Sequence, residues 1–361
     1  MYPFISIIVP VYNGEAHLEH LFQSLLGQTD KEFEVIFVDD GSTDGSSAII
    51  NTFAKKYQWA KAIHQSNGGP SAARNTGLKN ANGSHVLFLD SDDYLERNTV
   101  ELIRNRIRQY DPDLIVFGMN YVTEGKQFPS SPTLSSDHVY DRVFIEDRII
   151  PRMINILDDQ EAFIYDYACG KVFKRSIIEL QGIRFLESRR TWEDRPFVVH
   201  YLKYSQNLFV MEECLYNYVN VPGSLSTRFD PQMFDIILEN YELYHSWFRG
   251  EYDFQTQFSN DYWSGSIDRM ISRSLKQSED TGQATIKIKS VIQDQRVRKW
   301  FEDRVNSSRR DRELSKLILD ADFNRLLRFY RKERAQEQMR AFFSERKKRV
   351  KDIIRPFIKK S

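Results

Sequence analysis

ISIIVPVYNGEAHLEHLFQSLLGQTDKEFEVIFVDDGSTD, residues 5–44, changes period twice and so decides the fold class. Residues 5–11 (ISIIVPV) are a continuous run rich in β-branched side chains, the pattern of a strand covered on both faces. Leu18, Leu21, Phe22, Leu25 and Leu26 then recur at intervals of three and four, one stripe of a helix. FEVIFV at 33–38 returns to strand. The alternation continues through helical spacing over 46–57 (Ile49, Phe53, Tyr57), a helix beginning near Ser71 and a short strand HVLFL at 85–89. A further helix precedes the strand-like LIVF at 114–117. Strands alternating with helices predict an α/β fold with a mostly parallel sheet flanked by helices.

Beyond this half the pattern loosens. TEGKQFPSSPTLSSD at 123–137 reads as a loop because proline, serine and glycine dominate it, and residues 138–228 are mixed. Proline is absent between Pro231 and Pro356 and helix formers prevail, which predicts a mainly helical C-terminal domain over 229–361. The 361 residues therefore divide into a first domain of 1–228, with halves of about 1–120 and 121–228, and this helical one. The formal net charge is zero, yet 14 basic and 4 acidic residues from Arg325 to Ser361 give the tail +10 and leave −10 for residues 1–324. Cys169 and Cys214 have neither a disulfide framework nor metal-ligand spacing. With no membrane-spanning run and no signal-peptide pattern at the start, a cytoplasmic protein is expected.

In open α/β sheets, ligands bind beyond the carboxyl ends of the strands. The polar clusters fall there: Pro10-Val11-Tyr12-Asn13, Asp39-Asp40-Gly41-Ser42 and Asp90-Ser91-Asp92-Asp93. Each alone is compatible with a turn, but three on one edge point to a ligand. Neighbouring carboxylates repel, and a magnesium or manganese ion shared with substrate phosphates removes that cost. A calcium loop fails, because Tyr94 and Leu95 stand where it needs an oxygen ligand and a glycine. Neither G-x-G-x-x-G after the first strand nor G-x-x-x-x-G-K-[ST] is present, which argues against dinucleotide and P-loop sites. NGGPSAARNTG at 67–77 instead offers a turn, Ser71 as a candidate cap, and Arg74 in a first helical turn suited to a diphosphate.

In this order and spacing, the strand ending PVYN, VDDGSTD, NGGPSAARNTG and FLDSDD resemble the family 2 glycosyltransferases of the GT-A fold, strongly over residues 3–120 and more weakly to about 228. The resemblance implies inverting transfer from a nucleotide-diphosphate sugar, usually a UDP-sugar, with Mn2+ or Mg2+. It places Pro10 and Tyr12 beside the uracil with main-chain contacts near Val11, and gives Asp40 the base N3–H. It puts Asn67 and Arg74 by the uridine and diphosphate, and Asp90 toward the ribose and sugar. Asp92, with Asp90, would hold the metal, and Asp93 is the third carboxylate of the motif. The family's base comes from a Glu-Asp pair before a helix, here Glu193-Asp194 with Asp194 as base. One displacement then inverts the anomeric centre, and an ionised carboxylate free of metal takes the acceptor proton. Lys171 in CGKVFKRS falls where the family often has W-x-K, but the tryptophan is missing. Ser224 and Ser226 of GSLS are further diphosphate candidates, with a simple turn as the alternative.

In the tail, Phe342, Phe343, Val350, Ile353, Ile354 and Phe357 repeat at helical spacing around Arg346-Lys347-Lys348-Arg349. Such a helix either docks with a solvated basic face or lies on an anionic membrane at the inner face, where each basic residue contributes about 1 kcal/mol. The expected partners are a UDP-sugar and a glycan, glycolipid or glycoprotein acceptor, as in building a surface polysaccharide; self-association is compatible with the sequence. Nucleic-acid binding is not expected, as no aromatic-interleaved basic patch occurs. Two other readings stand beside the enzyme: nucleotidyl transfer, which lacks its glycine-rich loop here, and a catalytically silent GT-A-like subunit supporting a partner glycosyltransferase.

Overall fold

The computed structural model describes residues 4–221, 232–277, 281–303, 308–336 and 338–339. Ser224, Ser226 and the amphipathic tail from Phe342 lie outside the described residues. The chain divides into two compact units, residues 1–228 with 240–252 and residues 229–239 with 253–361.

In the first unit, β1 (Ile5–Val11), α1 (Leu18–Leu26), β2 (Phe33–Asp39), α2 (Ser46–Lys56), β3 (Ala60–His64), α3 (Pro70–Asn80) and β4 (His85–Phe88) alternate. Every residue of β2, and all of β1 but Pro10, is buried, as continuous apolar runs require of strands covered on both faces. β3 escapes sequence reading because of its five residues only Ala60 is buried. Next come β5 (Tyr94–Leu95), α4 (Thr99–Tyr110), β6 (Leu114–Thr123), β7 (Lys126–Ser130) and β8 (His138–Asp141). A helical run of α5 (Arg142–Phe144), a π-helical turn (Ile145–Ile149) and α6 (Ile150–Met153) leads to β9 (Lys171–Lys174), α7 (Arg175–Leu180), α8 (Asp194–Leu202) and β10 (Asn207–Val219).

The sheet order is β3-β2-β1-β4-β9-β6-β10-β5, with β7 paired to β6 and β8 to β10. β3, β2, β1 and β4 are parallel neighbours, as the βα alternation predicts. The far half departs from a purely parallel pattern: β9 runs antiparallel between β4 and β6, and β10 runs parallel to β6. The sheet is therefore mixed. The loop expected at 123–137 is in part a hairpin, since β7 pairs antiparallel with β6 through Glu124-Gly125, both at positive φ. Pro129 is tolerated because β7 is exposed and lies at the sheet's margin.

Helix α3 carries the sequence's phosphate-like loop. Its N-cap is Gly69 at φ 86, with Pro70 at the first position, so Ser71 is not the cap. The buried Ser71 hydroxyl instead donates to the Arg189 carbonyl at 3.0 Å. Gly77 sets the helix against the sheet: a Cβ there would lie 2.3 Å from Ile8 Cγ2 on β1. That close approach fixes the height at which Arg74, one turn earlier, leaves the helix.

The second unit is helical in its described residues, as its composition predicts, with α10 (Gln257–Gln277), α11 (Thr281–Gln293), α12 (Gln295–Glu302), α13 (Arg309–Leu319) and a helix over 323–336. The preceding α9 (Met233–Trp247) begins in this unit, and its residues from Asn240 belong to the first. Trp263 and Trp300 stack at 5.7 Å within an apolar core that includes Ile267, Ile271, Phe301 and Ile318. Arg310 pairs with Asp268 and Glu333, and Tyr330 donates to Asp268 at 2.7 Å. No described helix is long and apolar enough to cross a membrane.

Candidate active site

Two groups of residues meet at the carboxyl edge of the parallel strands. The first is polar and backbone-rich. Tyr12 projects from the end of β1, 53% exposed, beside the half-buried Pro10 and the buried Val11. The Val11 carbonyl accepts the Asp40 N–H at 2.8 Å. Asn13, at φ 51, accepts the Thr43 N–H at 2.7 Å, tying the first loop to the second. The Asp40 carboxylate accepts from the Gly68 and Gly69 N–H groups at 2.8 and 2.7 Å and from Gln65 Nε2 at 2.7 Å. Asp40 thus holds the 65–69 loop in place, with the exposed Asn67 at its tip. Gly41, at φ 72, leaves room only for hydrogen, because a Cβ would meet the Asn67 nitrogen at 2.9 Å.

The second group is a knot of charge. Arg74 is buried, and its guanidinium reaches Glu193 Oε1 at 2.6 Å, Asp90 Oδ1 at 2.8 Å and Asp194 Oδ1 at 3.4 Å. Burial opposes the charge on Arg74, but the surrounding carboxylates outweigh it and hold its pKa above the usual range. Glu193 and Asp194 stand at the start of α8, where a helix favours negative charge. Asp194 accepts the Ala168 N–H, yet its Oδ1 is buried and makes no hydrogen bond. Burial raises its pKa, Arg74 opposes the rise, and Glu193 and Asp90 add to it, so the carboxyl is pushed up to about 7.

Between these groups lies the Asp90–Asp93 turn. Gly14, past the end of β1, sits against it, its would-be Cβ 3.2 Å from Ser91 Oγ. Asp93 is buried and fully used: its oxygens accept from Tyr216 Oη at 2.5 Å and from the Val219 N–H at 2.8 Å. Burial and the charges of Asp90 and Asp92 push its pKa well up. Asp92 forms no ion pair among the described residues; burial and Asp90 raise its pKa, while its own N–H and His17 oppose the rise. The described residues contain no group of three or more His, Cys, Asp or Glu placed to hold a metal. The donor set that the turn itself offers is Asp92 with Asp90 Oδ2, which the Cys169 thiol also approaches at 3.5 Å. It suits a hard cation that takes one or two carboxylates and completes its shell from substrate oxygens.

Sequence reading named the carboxylates, Arg74 and Lys171 but missed other groups around them. Tyr216, on β10, donates to Asp93 and accepts the Asp90 N–H at 3.2 Å. Cys169 Sγ lies 3.5 Å from Asp90 Oδ2. Lys171, fully buried, donates to the Tyr167 carbonyl at 2.6 Å, and burial lowers its pKa to about 8. Trp192 stands beside Glu193 at φ 60 with its ring exposed. Arg190 is exposed and its stem lies 3.5 Å from the Cβ position of Gly69, beside the Asp40 loop. A lone cysteine or tyrosine carries no spacing signal that announces such contacts.

A mixed sheet bearing acidic turns at its carboxyl edge, with a helix-opening Glu-Asp pair brought to the same point, defines a glycosyltransferase of the GT-A fold. The chain belongs to glycosyltransferase family 2, whose family model matches residues 6–180. It is 31% identical over 245 residues to the uncharacterised glycosyltransferase EpsJ of Bacillus subtilis, covering 67% of this chain and 69% of EpsJ. It is 29% identical over 217 residues to the poly(ribitol-phosphate) β-N-acetylglucosaminyltransferase TarP of Staphylococcus aureus, covering 59% of this chain and 61% of TarP. The crystal structure of S. aureus TarS 1–349 in complex with UDP-GlcNAc superposes with a TM-score of 0.60 at 22% identity, covering 92% of each chain. The protein is a glycosyltransferase.

Proposed function

We propose that the chain transfers a sugar from a UDP-sugar to an acceptor hydroxyl of a glycan, glycolipid or glycoprotein, inverting the anomeric centre in one displacement with Asp194 as base. The observation that carries this reading is the state of Asp194. One of its oxygens makes no hydrogen bond, and burial with the neighbouring acidic groups pushes the carboxyl up to about 7, a range suited to taking a proton at neutral pH. Arg74 holds it in line with Asp90 and Glu193, so the proton acceptor stays fixed relative to the donor-side carboxylate. The UDP donor is supported by the bound UDP-GlcNAc of the TarS structure, whose fold this chain shares.

On the donor side, Tyr12 and Pro10 offer the uracil a face and the Asp40 loop supplies backbone near Asn67. Arg190 adds a cation there, complementing Arg74, whose charge is engaged by carboxylates. Asp92 and Asp90 are the residues that would hold Mn2+ or Mg2+, which would offset charge on the departing UDP. Residues 1–120 then form the donor half and 121–228 the acceptor half of the first domain. The basic tail suits peripheral contact with the cytoplasmic face of an anionic membrane.

Calorimetric titration with UDP and with GDP, each with and without manganese, tests the donor. Metal-dependent UDP binding with GDP much weaker is expected, and absence of UDP binding overturns the reading. The anomeric configuration of the product, read by NMR, tests inversion.

A further inference from the structure

Resting on the reading of Asp194 as base, we propose that the acceptor bound beside it is an uncharged sugar ring, stacked on Trp192 and Tyr167, and not a phosphate-containing polyol chain. Both rings are tied to Asp194 by the chain itself. Trp192 lies two residues before it, and the Ala168 N–H, next to Tyr167, donates to its carboxylate. Both are open to solvent, Trp192 at 44% and Tyr167 at 45%. Trp192 also holds φ 60, a conformation that costs a bulky residue energy and persists only where surrounding structure enforces it. A strained, exposed tryptophan two residues before Asp194 is a built feature.

Behind Tyr167 the aromatic surface continues inward. Its hydroxyl is hydrogen-bonded with that of Tyr121, which packs against Tyr218 with centroids 5.5 Å apart. Tyr165 stacks 6.2 Å from Tyr167 and donates to Ser130 Oγ at 2.6 Å. The rings are thereby held rigid with their edges satisfied, so an incoming ring pays little ordering cost. A pyranose presents a C–H face that packs on the negative face of an aromatic ring, and its hydroxyls reach the carboxylate at the edge.

Charge among the described residues argues against the alternative. A phosphate-bearing chain needs unpaired cations along its path. Here Lys171 is buried on the Tyr167 carbonyl, Arg195 is buried against Asn155 and Asp166, and Arg74 is saturated by carboxylates. Arg152 lies over the Phe163 ring at 4.6 Å and is partly buried near Asp166, with no ion pair among the described residues. Arg190 lies against Gly69, on the Asp40 side. Asp166, Glu193 and Asp194 leave the acceptor side acidic.

The test uses the full chain, with binding of cellobiose, lactose and N,N′-diacetylchitobiose compared with that of poly(ribitol phosphate) by saturation-transfer NMR and calorimetry. At least one neutral disaccharide is expected to bind more tightly than poly(ribitol phosphate), and its affinity should fall fivefold or more in Tyr167→Ala and in Trp192→Gly. The glycine variant keeps the positive φ without strain. Tighter binding of poly(ribitol phosphate), no binding of any of the three disaccharides, or unchanged affinity in both variants overturns the proposal. UDP affinity measured on the same samples reports on the donor reading alone.

Discussion

Replacing Asp194 by asparagine should move activity and stability in opposite directions. Burial and the acidic neighbours push the carboxyl from its ordinary value of 3.8 up to about 7 in the folded protein. At 1.36 kcal/mol per pKa unit that gap corresponds to about 4 kcal/mol. The side chain keeps about one-fifth of its exposure to water, so we take about 2 kcal/mol as the ionisation cost carried at pH 8. The sign follows from proton binding: between pH 4 and 7 the folded state holds a proton that the unfolded state has lost, so this group's contribution to stability falls as pH rises. Asparagine carries no such cost. Asp194→Asn should raise the unfolding midpoint at pH 8, by an amount that shrinks toward pH 4, while transfer falls about 10²–10⁴-fold. The wild-type kcat/KM should decline below pH 7 as the base becomes protonated. Thermal unfolding from pH 4 to 8 beside UDP release with acceptor present measures both quantities. A variant that transfers at the wild-type rate, or that loses stability at pH 8 relative to pH 4, refutes the assignment.

Arg74→Gln removes the one cation shared by three carboxylates and should cost about 3–5 kcal/mol of stability, seen in denaturant unfolding. In the fraction that folds, the Asp194 carboxyl should titrate higher still, shifting the acid limb of kcat/KM upward. Asp92→Asn should abolish the metal dependence of UDP binding in calorimetry, with a change in unfolding midpoint of less than 2 °C. Tyr216→Phe leaves Asp93 Oδ2 without its donor and should cost about 1–3 kcal/mol in the same unfolding assay.

Continuous apolar runs made β1 and β2 legible, because a strand buried on both faces has to be written in Ile, Val and Phe. The acidic turns were legible for a similar reason, since carboxylates grouped at strand ends have no cheap structural use. β9 was not, as KVFK is four residues long and nothing in it specifies that its neighbours are β4 and β6. The β6–β7 hairpin hid behind Pro129, which argues against a central strand and is harmless at a margin. Glu193 and Asp194 were identified through resemblance, but that Arg74 joins them across 119 positions is tertiary information. Tyr216 was invisible for the same reason, since its contact with Asp93 spans 123 positions.

β9 also sets an order of events for the chain as it is made. Strands β1 to β4 are complete by Phe88 and β6 by Thr123, but the strand that lies between β4 and β6 is not synthesised until Lys174. Until then the nascent protein holds two partial sheets, each with a bare apolar edge able to pair with another chain. Arg74 meanwhile waits for Glu193 and Asp194, which follow only after β9. The ribosome thus delivers the keystone late. A pause or truncation before residue 174 leaves an aggregation-prone fragment, whereas one soon after residue 202 has closed the seam between β4 and β6 and supplied the partners of Arg74, but still lacks β10, which flanks β6 and brings Tyr216 to Asp93.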